Sequence, residues 1–259
     1  MAIATLTTDW ERHDFYVAAL KGEILKRNPA VAFIDISHQI PAFQLQCAAY
    51  VVKSSYHHFP EGTIHIIGVD SEPTPKKPIV AVQYNNHYFI SVDNGVLGLI
   101  CQTKPSGVVS IPYDDQGNGF NALTPFATAA AAIAMGEPLA NIGSEKASVN
   151  FMPMLLPVLD SSYIIGNVIY IDTFGNIITN ITIEEFERVS KGRPYEILIQ
   201  SNRYKVKSIS KTYSDVEDGE FVAIFNSAGH LEVAQNKGRI SSILNLDMGS
   251  SVRINFFNH

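Results

Sequence analysis

Two patterns of hydrophobic residues meet in this chain of 259 residues, and the place where one gives way to the other constrains the fold more than any single residue does. Up to about residue 135, short apolar runs at 2–6, 30–36 and 63–69 alternate with helical stretches. In one stretch, residues 14–27, Tyr16, Leu20 and Ile24 recur every four residues, the spacing of one helical face. In the next, Leu45, Ala48, Ala49, Val52, Tyr56 and Phe59 mark a face that Pro60 and Gly62 stop. Residues 78–83 and 87–92 read as paired strands turned at Asn85 and Asn86, and an alanine-rich helix covers 125–135. Alternating β and α units predict a mostly parallel sheet flanked by helices. After a Pro- and Met-rich stretch at 152–157, short strands follow one another at 163–171, 195–200, 203–208, 221–225, 231–237 and 252–256, with one helix at 183–189. Serial short strands predict an antiparallel barrel or sandwich. The expectation is an α/β domain over 1–155 and an all-β, barrel-like domain over 162–259.

Composition narrows the function. With 46% hydrophobic and 17% charged residues the chain can bury a sizeable core. Its net charge is -6 and no more than two basic residues are adjacent, so a nucleic-acid partner is not expected. Cys47 and Cys101 stand alone, which predicts a reducing compartment without a disulfide framework, and no Cys/His spacing matches a zinc site. Asp9, Glu11 and Arg12 argue against a signal peptide, and the most apolar segments are too short to span a bilayer. A cytoplasmic protein with no membrane contact is expected.

Several residues could carry chemistry. Asp9, Asp35 and Asp70 each end an apolar run. Ligands of open α/β sheets bind beyond the carboxyl ends of strands, which singles out Asp9 and Asp70. The competing reading is that strand-end aspartates cap the next helix. Asp35 reads as structural. Asp93-Asn94-Gly95 reads as a turn into a helix, with a second reading in which its backbone meets a ligand. The loop at 114–120 has two glycines but no lysine and no phosphate-loop spacing, so it does not support nucleoside triphosphate binding. Residues 170–181, YIDTFGNIITNI, form a β-type run that Gly175 interrupts and that carries Asp172, Phe174, Asn176 and Asn180. A strand serving only a core would alternate apolar and polar residues and avoid glycine. A carboxylate, a ring and an amide together suit a small ligand with a flat base and a polar tail. Residues 225–229, FNSAG, taken alone are an ordinary hairpin turn.

Seven segments together point to one family: LTTD at 6–9, DISHQIP at 35–41, FPEGT at 59–63, VD at 69–70, DNG at 93–95, IDTFGNIITNI at 171–181 and NSAGHLEVAQN at 226–236. In these the chain resembles the S-adenosyl-L-methionine (SAM) hydroxide adenosyltransferases, or SAM hydrolases, of the superfamily that includes fluorinase and chlorinase. The resemblance implies an α/β domain joined to a β-barrel domain. It also implies a homotrimer holding SAM between the first domain of one subunit and the second domain of its neighbour. Asp9 would bind the ribose hydroxyls with Asp14 close by, and Phe43 would lie against the ribose and adenine. Asp172 and Ser227 would hold the methionine amino and carboxylate groups. Phe174 would stack on adenine, Asn176 would bond its edge, and the backbone around Gln235 and Lys237 would complete that pocket. The side chains suit these roles: a carboxylate pairs with an ammonium and a ring stacks on a base. The implied reaction is attack of water on the ribose 5′ carbon, yielding adenosine and methionine, with SAM as substrate and no cofactor.

The chain departs from this family in the residues around the attacking water. The family uses an Asp–Arg–His set. Asp70 matches the aspartate, but the arginine position falls on Lys76, with Lys77 as the alternative, and the histidine position falls on Asn121. Lysine keeps the charge without the planar fork, and an asparagine orients water but takes no proton at neutral pH. Trp10-Glu11 replaces the family's usual Phe-Gly or Leu-Gly. The halogenating relatives carry a tyrosine in place of the aspartate. Here Asp70 would repel a halide, and Ala122 stands where the fluorinase has a serine. Three activities stay open on the sequence: a SAM hydrolase with an altered water site, a non-catalytic trimeric binder of SAM or another adenosine compound, and a relative using another nucleophile.

Overall fold

The computed structural model describes residues 2–11, 14–114 and 120–257. It divides into two compact units, Met1–Pro153 and Met154–His259.

The first unit is built on seven strands: β1 (Ile3–Thr8), β2 (Ala32–Ser37), β3 (Ile64–Gly68), β4 (Ile79–Tyr84), β5 (His87–Val92), β6 (Gly107–Ile111) and β7 (Ser144–Glu145). Their order is β2-β1-β3-β5-β4-β6-β7. The pairs β1–β2, β1–β3 and β3–β5 are parallel, and β4 runs antiparallel to both of its neighbours. Asn85 and Asn86, both left-handed at φ 48° and 61°, turn β4 into β5, the geometry that matches the right-handed twist of a tight hairpin. Every residue of β3 is buried, as a strand covered on both faces must be.

Helices α1 (Tyr16–Arg27) and α4 (Leu123–Ala134) cover one face. Leu20 and Ile24, one helical turn apart, pack with Phe126, Ala127, Ala130 and Ile133 and with Ala4, Leu6, Ile64 and Ile66 of the sheet. The alanines of α4 carry so little side chain that the two helices can approach closely. Helix α2 (Leu45–Ser55) packs with α3 (Val96–Ile100). The sequence pattern did not reveal β6, β7 or the single-turn α5 (Leu139–Ile142), elements too short to establish a period. Parallel strands β1, β3 and β5 end together, so the residues that follow them, Asp9, Asp70 and Asp93, gather at one edge of the sheet.

The paired strands of the second unit are antiparallel, and one isolated parallel bridge joins Ile209 to Ala223. Strands β8 (Val158–Leu159), β9 (Tyr163–Ile171), β10 (Ile177–Thr182), β11 (Tyr195–Ile199), β12 (Ser201–Val206), β13 (Phe221–Phe225), β14 (His230–Gln235) and β15 (Ser251–Phe256) form one sheet. The order is β12-β11-β15-β9-β10-β14-β13, with β8 on the start of β9. The end strands β12 and β13 approach one another, so the sheet is nearly closed into a barrel. Ile164, Val168, Ile177, Ile197, Val233 and Ile254 fill its interior. Helix α6 (Ile183–Ser190) starts with a capping box: Thr182 Oγ1 accepts the Glu185 N–H and Glu185 accepts the Thr182 N–H. A second short helix, α7 (Ile240–Leu244), joins the one read from the sequence.

Candidate active site

In the first unit the site grows from Asp9. Its Oδ2 accepts the backbone N–H of Phe43 at 3.0 Å and of Asp70 at 3.2 Å. Asp9 is therefore not a helix cap. One carboxylate oxygen joins the ends of β1 and β3 to the loop after β2, and among the described residues the other oxygen accepts no hydrogen bond. That loop is seated by Ile40 N–H on Thr8 O, and by His38 Nδ1, 2.8 Å from Thr8 Oγ1. On its other side the His38 ring lies 3.1 Å from Asp35, which also pairs with Lys21 at 2.7 Å; Asp35 serves the scaffold. Phe43 sits at φ 63° with its ring 72% exposed, an orientation no core would select.

Asp70 also has a left-handed backbone, φ 46°. Its carboxylate lies 3.5 Å from the Lys77 ammonium. Lys76, its neighbour, is exposed, and its carbonyl faces Asn150 Nδ2 at 3.5 Å. A two-residue bridge between Thr74 and Lys77 folds this proline-rich loop back on itself and brings Lys77 toward Asp70.

Trp10 connects these parts. It is buried, donates from Nε1 to Ser71 Oγ at 3.3 Å, and meets Phe120 edge-on with ring centroids 5.1 Å apart. Its indole lies so close to Gly68 that a Cβ there would sit 2.4 Å from the ring. Phe120 leads directly into Asn121, two residues before α4, so the Trp10 packing ties the Asn121 turn to the Asp70–Ser71 loop. Asp14 is exposed, just ahead of α1. Arg12 and most of the 114–120 loop lie outside the described residues.

In the second unit, the glycine-broken run becomes a hairpin. Asp172 Oδ1 accepts the N–H groups of Phe174 at 2.9 Å and Asn176 at 2.8 Å, and Oδ2 accepts from Asn176 Nδ2 at 3.0 Å. Gly175 turns at φ 79°, where an added Cβ would meet Ser241 Oγ at 2.9 Å. The turn leaves Phe174 72% exposed. Asn176 gives one of its two amide donors to Asp172. An ionised carboxylate has about four acceptor positions, and three on Asp172 are filled. Asn180 is different: it bonds Asn167 N–H and the Leu155 carbonyl and holds the strands.

Asp172, Phe174, Asn176, Gln235 and Lys237 line one cleft of about 570 Å³. Gln235 donates to the Gly219 carbonyl at 2.8 Å, and Lys237 pairs with Asp218 at 2.9 Å and is left-handed at φ 53°. Ser227 lies apart from that lining, exposed in the turn between β13 and β14, which Asn226 closes by accepting from Ala228 and His230. Tyr213 and Arg239 also line the cleft and escaped sequence reasoning. Tyr213 OH donates to the buried Glu232 at 2.5 Å, and Arg239 donates to the Thr173 carbonyl at 2.8 Å. Thr212 and Asp215, which cap the short turn carrying Tyr213, were the available signal.

No helix among the described residues is long and apolar enough to cross a membrane. Comparison with known proteins agrees along the whole chain. The profile of the SAM hydroxide adenosyltransferase N-terminal domain matches residues 4–143, and that of the C-terminal domain matches residues 166–253. A protein of Methanocaldococcus jannaschii named (R)-S-adenosyl-L-methionine hydrolase is 30% identical over 97% of this chain and 95% of its own. A fluorinase of Actinopolyspora mzabensis is more distant, 24% identical over 97% of this chain and 96% of its own. The crystal structure of an uncharacterized conserved protein from Thermotoga maritima matches with a TM-score of 0.85 at 29% identity, covering 98% of this chain and 99% of that one. Both domain profiles match in order and together span most of the sequence, so this chain belongs to the SAM hydroxide adenosyltransferase family.

Proposed function

We propose that this protein hydrolyses SAM to adenosine and L-methionine by displacement at the ribose 5′ carbon. The observation that carries the reading is the match of both family domains, over residues 4–143 and 166–253, combined with Asp70, a carboxylate held at the sheet edge beside a lysine ammonium. Water attacks C5′ in line with the C5′–S bond, the sulfur leaves with the bonding pair as a neutral thioether, and the water's proton passes to Asp70 and then to solvent. As the water's proton moves to Asp70 and the sulfur leaves, the carboxylate's negative charge and the sulfonium's positive charge are lost together, so a dry, preorganised site favours the transition state. Asp70 is the proton acceptor of the set, because Asn121 has only its amide to offer and orients the water. Lys77, 3.5 Å from Asp70, keeps that carboxylate aimed, with Lys76 as the alternative cation.

The substrate contacts follow the free acceptors. Asp9 holds the ribose hydroxyls, assisted by Asp14, and Phe43 lies against the sugar and base. Asp172 uses its remaining position for the methionine ammonium, and Ser227 takes the carboxylate. Phe174 stacks on adenine, Asn176 Oδ1 accepts from its amino group, and the backbone at Gln235 and Lys237 completes the pocket. The protein works as a cytoplasmic homotrimer in which the neighbour's second unit covers the first unit's site. The exposed rings of Phe43, in the first unit, and Phe174, in the second, support this.

The test is turnover of SAM by the trimer, verified by light scattering, with adenosine and methionine quantified together. Equal release of both supports the reading. Asn121 in the histidine position favours one rival, a SAM-binding trimer without turnover. Tight calorimetric binding with no adenosine above the uncatalysed rate would establish that rival instead. Halogenated or thioether nucleosides formed in added halide or thiol would point to another nucleophile.

A further inference from the structure

Asn94 makes none of the substrate contacts assigned above, yet its side chain is fully engaged around Asp70. Its amide nitrogen donates to the Val69 carbonyl at 2.9 Å and to the Asp70 carbonyl at 3.0 Å, and its oxygen accepts the Val96 N–H at 3.1 Å. An asparagine amide has two N–H donors, one for each carbonyl. Asp70 requires such support. Its left-handed backbone is one that residues with a side chain adopt only when their surroundings hold them there. The loop beyond it contains Pro73, Pro75 and Pro78, which have no N–H to anchor it. Released from Asn94, Asp70 would relax toward the ordinary right-handed or extended regions and turn its carboxylate away.

Asn94 is itself rigidly mounted. The fully buried side chain of Asp93 accepts the Asn150 N–H at 2.7 Å and pairs with Lys146 at 3.2 Å, while the Asp93 carbonyl accepts from Asn150 Nδ2 at 2.7 Å. On the other side Gly95 sits at φ 106°, and an added Cβ would meet the Met152 Cβ at 2.9 Å, so only glycine fits. The turn is thus clamped at both ends with one side chain pointing back at the neighbouring strand end.

We propose that Asn94 is a positioning residue for the reaction: it fixes the left-handed backbone of Asp70 so that the carboxylate faces the attacking water. This rests on the hydrolase reading above. Asn94→Asp keeps the size and the acceptor for Val96 but sets a carboxylate against two carbonyls that need a donor. Asn94→Ser retains one donor. The measurements are kcat and KM for SAM, the thermal midpoint, and the exchange rate of the Asp70 amide, whose N–H donates to Asp9. In Asn94→Asp, kcat falls about 100-fold while KM stays within about twofold. Exchange at Asp70 rises at least about tenfold, and Asn94→Ser recovers part of both losses. Unchanged kcat and unchanged exchange in Asn94→Asp would overturn the proposal, as would kcat and KM worsening together with a collapsed thermal midpoint. If the wild-type trimer releases no adenosine, the hydrolase reading fails on its own, and Asp70 amide exchange alone decides whether Asn94 positions that residue.

Discussion

Asp70 and Asp172 are both carboxylates just past the end of a strand, but they are held from very different distances along the chain. Asp172 is bound by Phe174 and Asn176, two and four residues away. Asp70 is bound through Asp9, 61 residues away, through Asn94, 24 away, and through Lys77, seven away. The first arrangement closes inside a single hairpin and needs little beyond its own turn. The second exists only once β1, β3 and β5 lie side by side. A parallel sheet collects chemistry from remote segments at one edge, whereas an antiparallel hairpin assembles it locally.

The strongest challenge to this contrast is Asp70→Ala. Removing the proposed proton acceptor lowers kcat about 1,000-fold, within the range for a positioned acid or base, while SAM affinity by calorimetry stays within about threefold. Affinity falling in parallel with kcat would make Asp70 a binding residue like Asp172.

Next in size is a pH effect on the first unit. His65 is buried, with Thr5 Oγ1 2.8 Å from Nδ1 and His87 3.2 Å from Nε2, and with Tyr56, Phe59 and Phe89 around its ring. Burial pushes its pKa down to about 3, and burial lowers His87 as well, against the opposing charge of Glu61. The unfolded chain therefore binds protons that the folded unit refuses. Stability from His65 is fully present above about pH 6.5 and falls as the pH drops toward 3, by roughly 3 kcal/mol at pH 4. The second unit's lowered carboxylates, Asp160, Glu196 and Asp215, act only near and below about pH 4. Scanning calorimetry across this range should show the first unit melting earlier as the pH falls, and His65→Gln should flatten that dependence. A first-unit transition that does not move between pH 6.5 and 4.5 contradicts the account.

Asp172→Ala gives the converse of Asp70→Ala. It removes a charged partner and three turn bonds, so KM for SAM rises about 30-fold while kcat at saturation stays within about threefold. A loss confined to kcat would show that the hairpin serves the chemistry and not the ligand. The smallest difference separates the two lysines. Lys77→Ala lowers kcat about fivefold and Lys76→Ala less than about twofold, with stability changed by no more than about 0.5 kcal/mol in either, since exposed ion pairs contribute little. Equal responses would remove Lys77 from the proposed set.

Much of this was legible beforehand because it is local. The four-residue spacing of Leu20 and Ile24 and the Asn85-Asn86 turn act over a few residues and leave their mark in the letters. In the 170–181 run the interruption at Gly175 was legible, and the turn that Asp172 closes there was not. Strand-end aspartates were visible as candidates and Asp35 already read as structural, but the letters did not show that Asp9 bridges two loops or that Asp35 pairs with Lys21 and His38. Tyr213 and Arg239 come from segments distant along the chain from the 172–176 turn, and the Thr212–Asp215 cap marks a turn beneath Tyr213 without showing that it lines a cleft.

By itself, then, the amino-acid sequence determined the two kinds of domain, the local turns and the family, since periodicity and short-range hydrogen bonding depend on near neighbours. Tertiary structure alone decided that Asp9 accepts from Phe43 and Asp70, that Lys77 and not Lys76 approaches the Asp70 carboxylate, and that Asn94 props the backbone behind it. Those contacts join segments whose separation along the chain carries no information about distance until the sheet has brought their ends together.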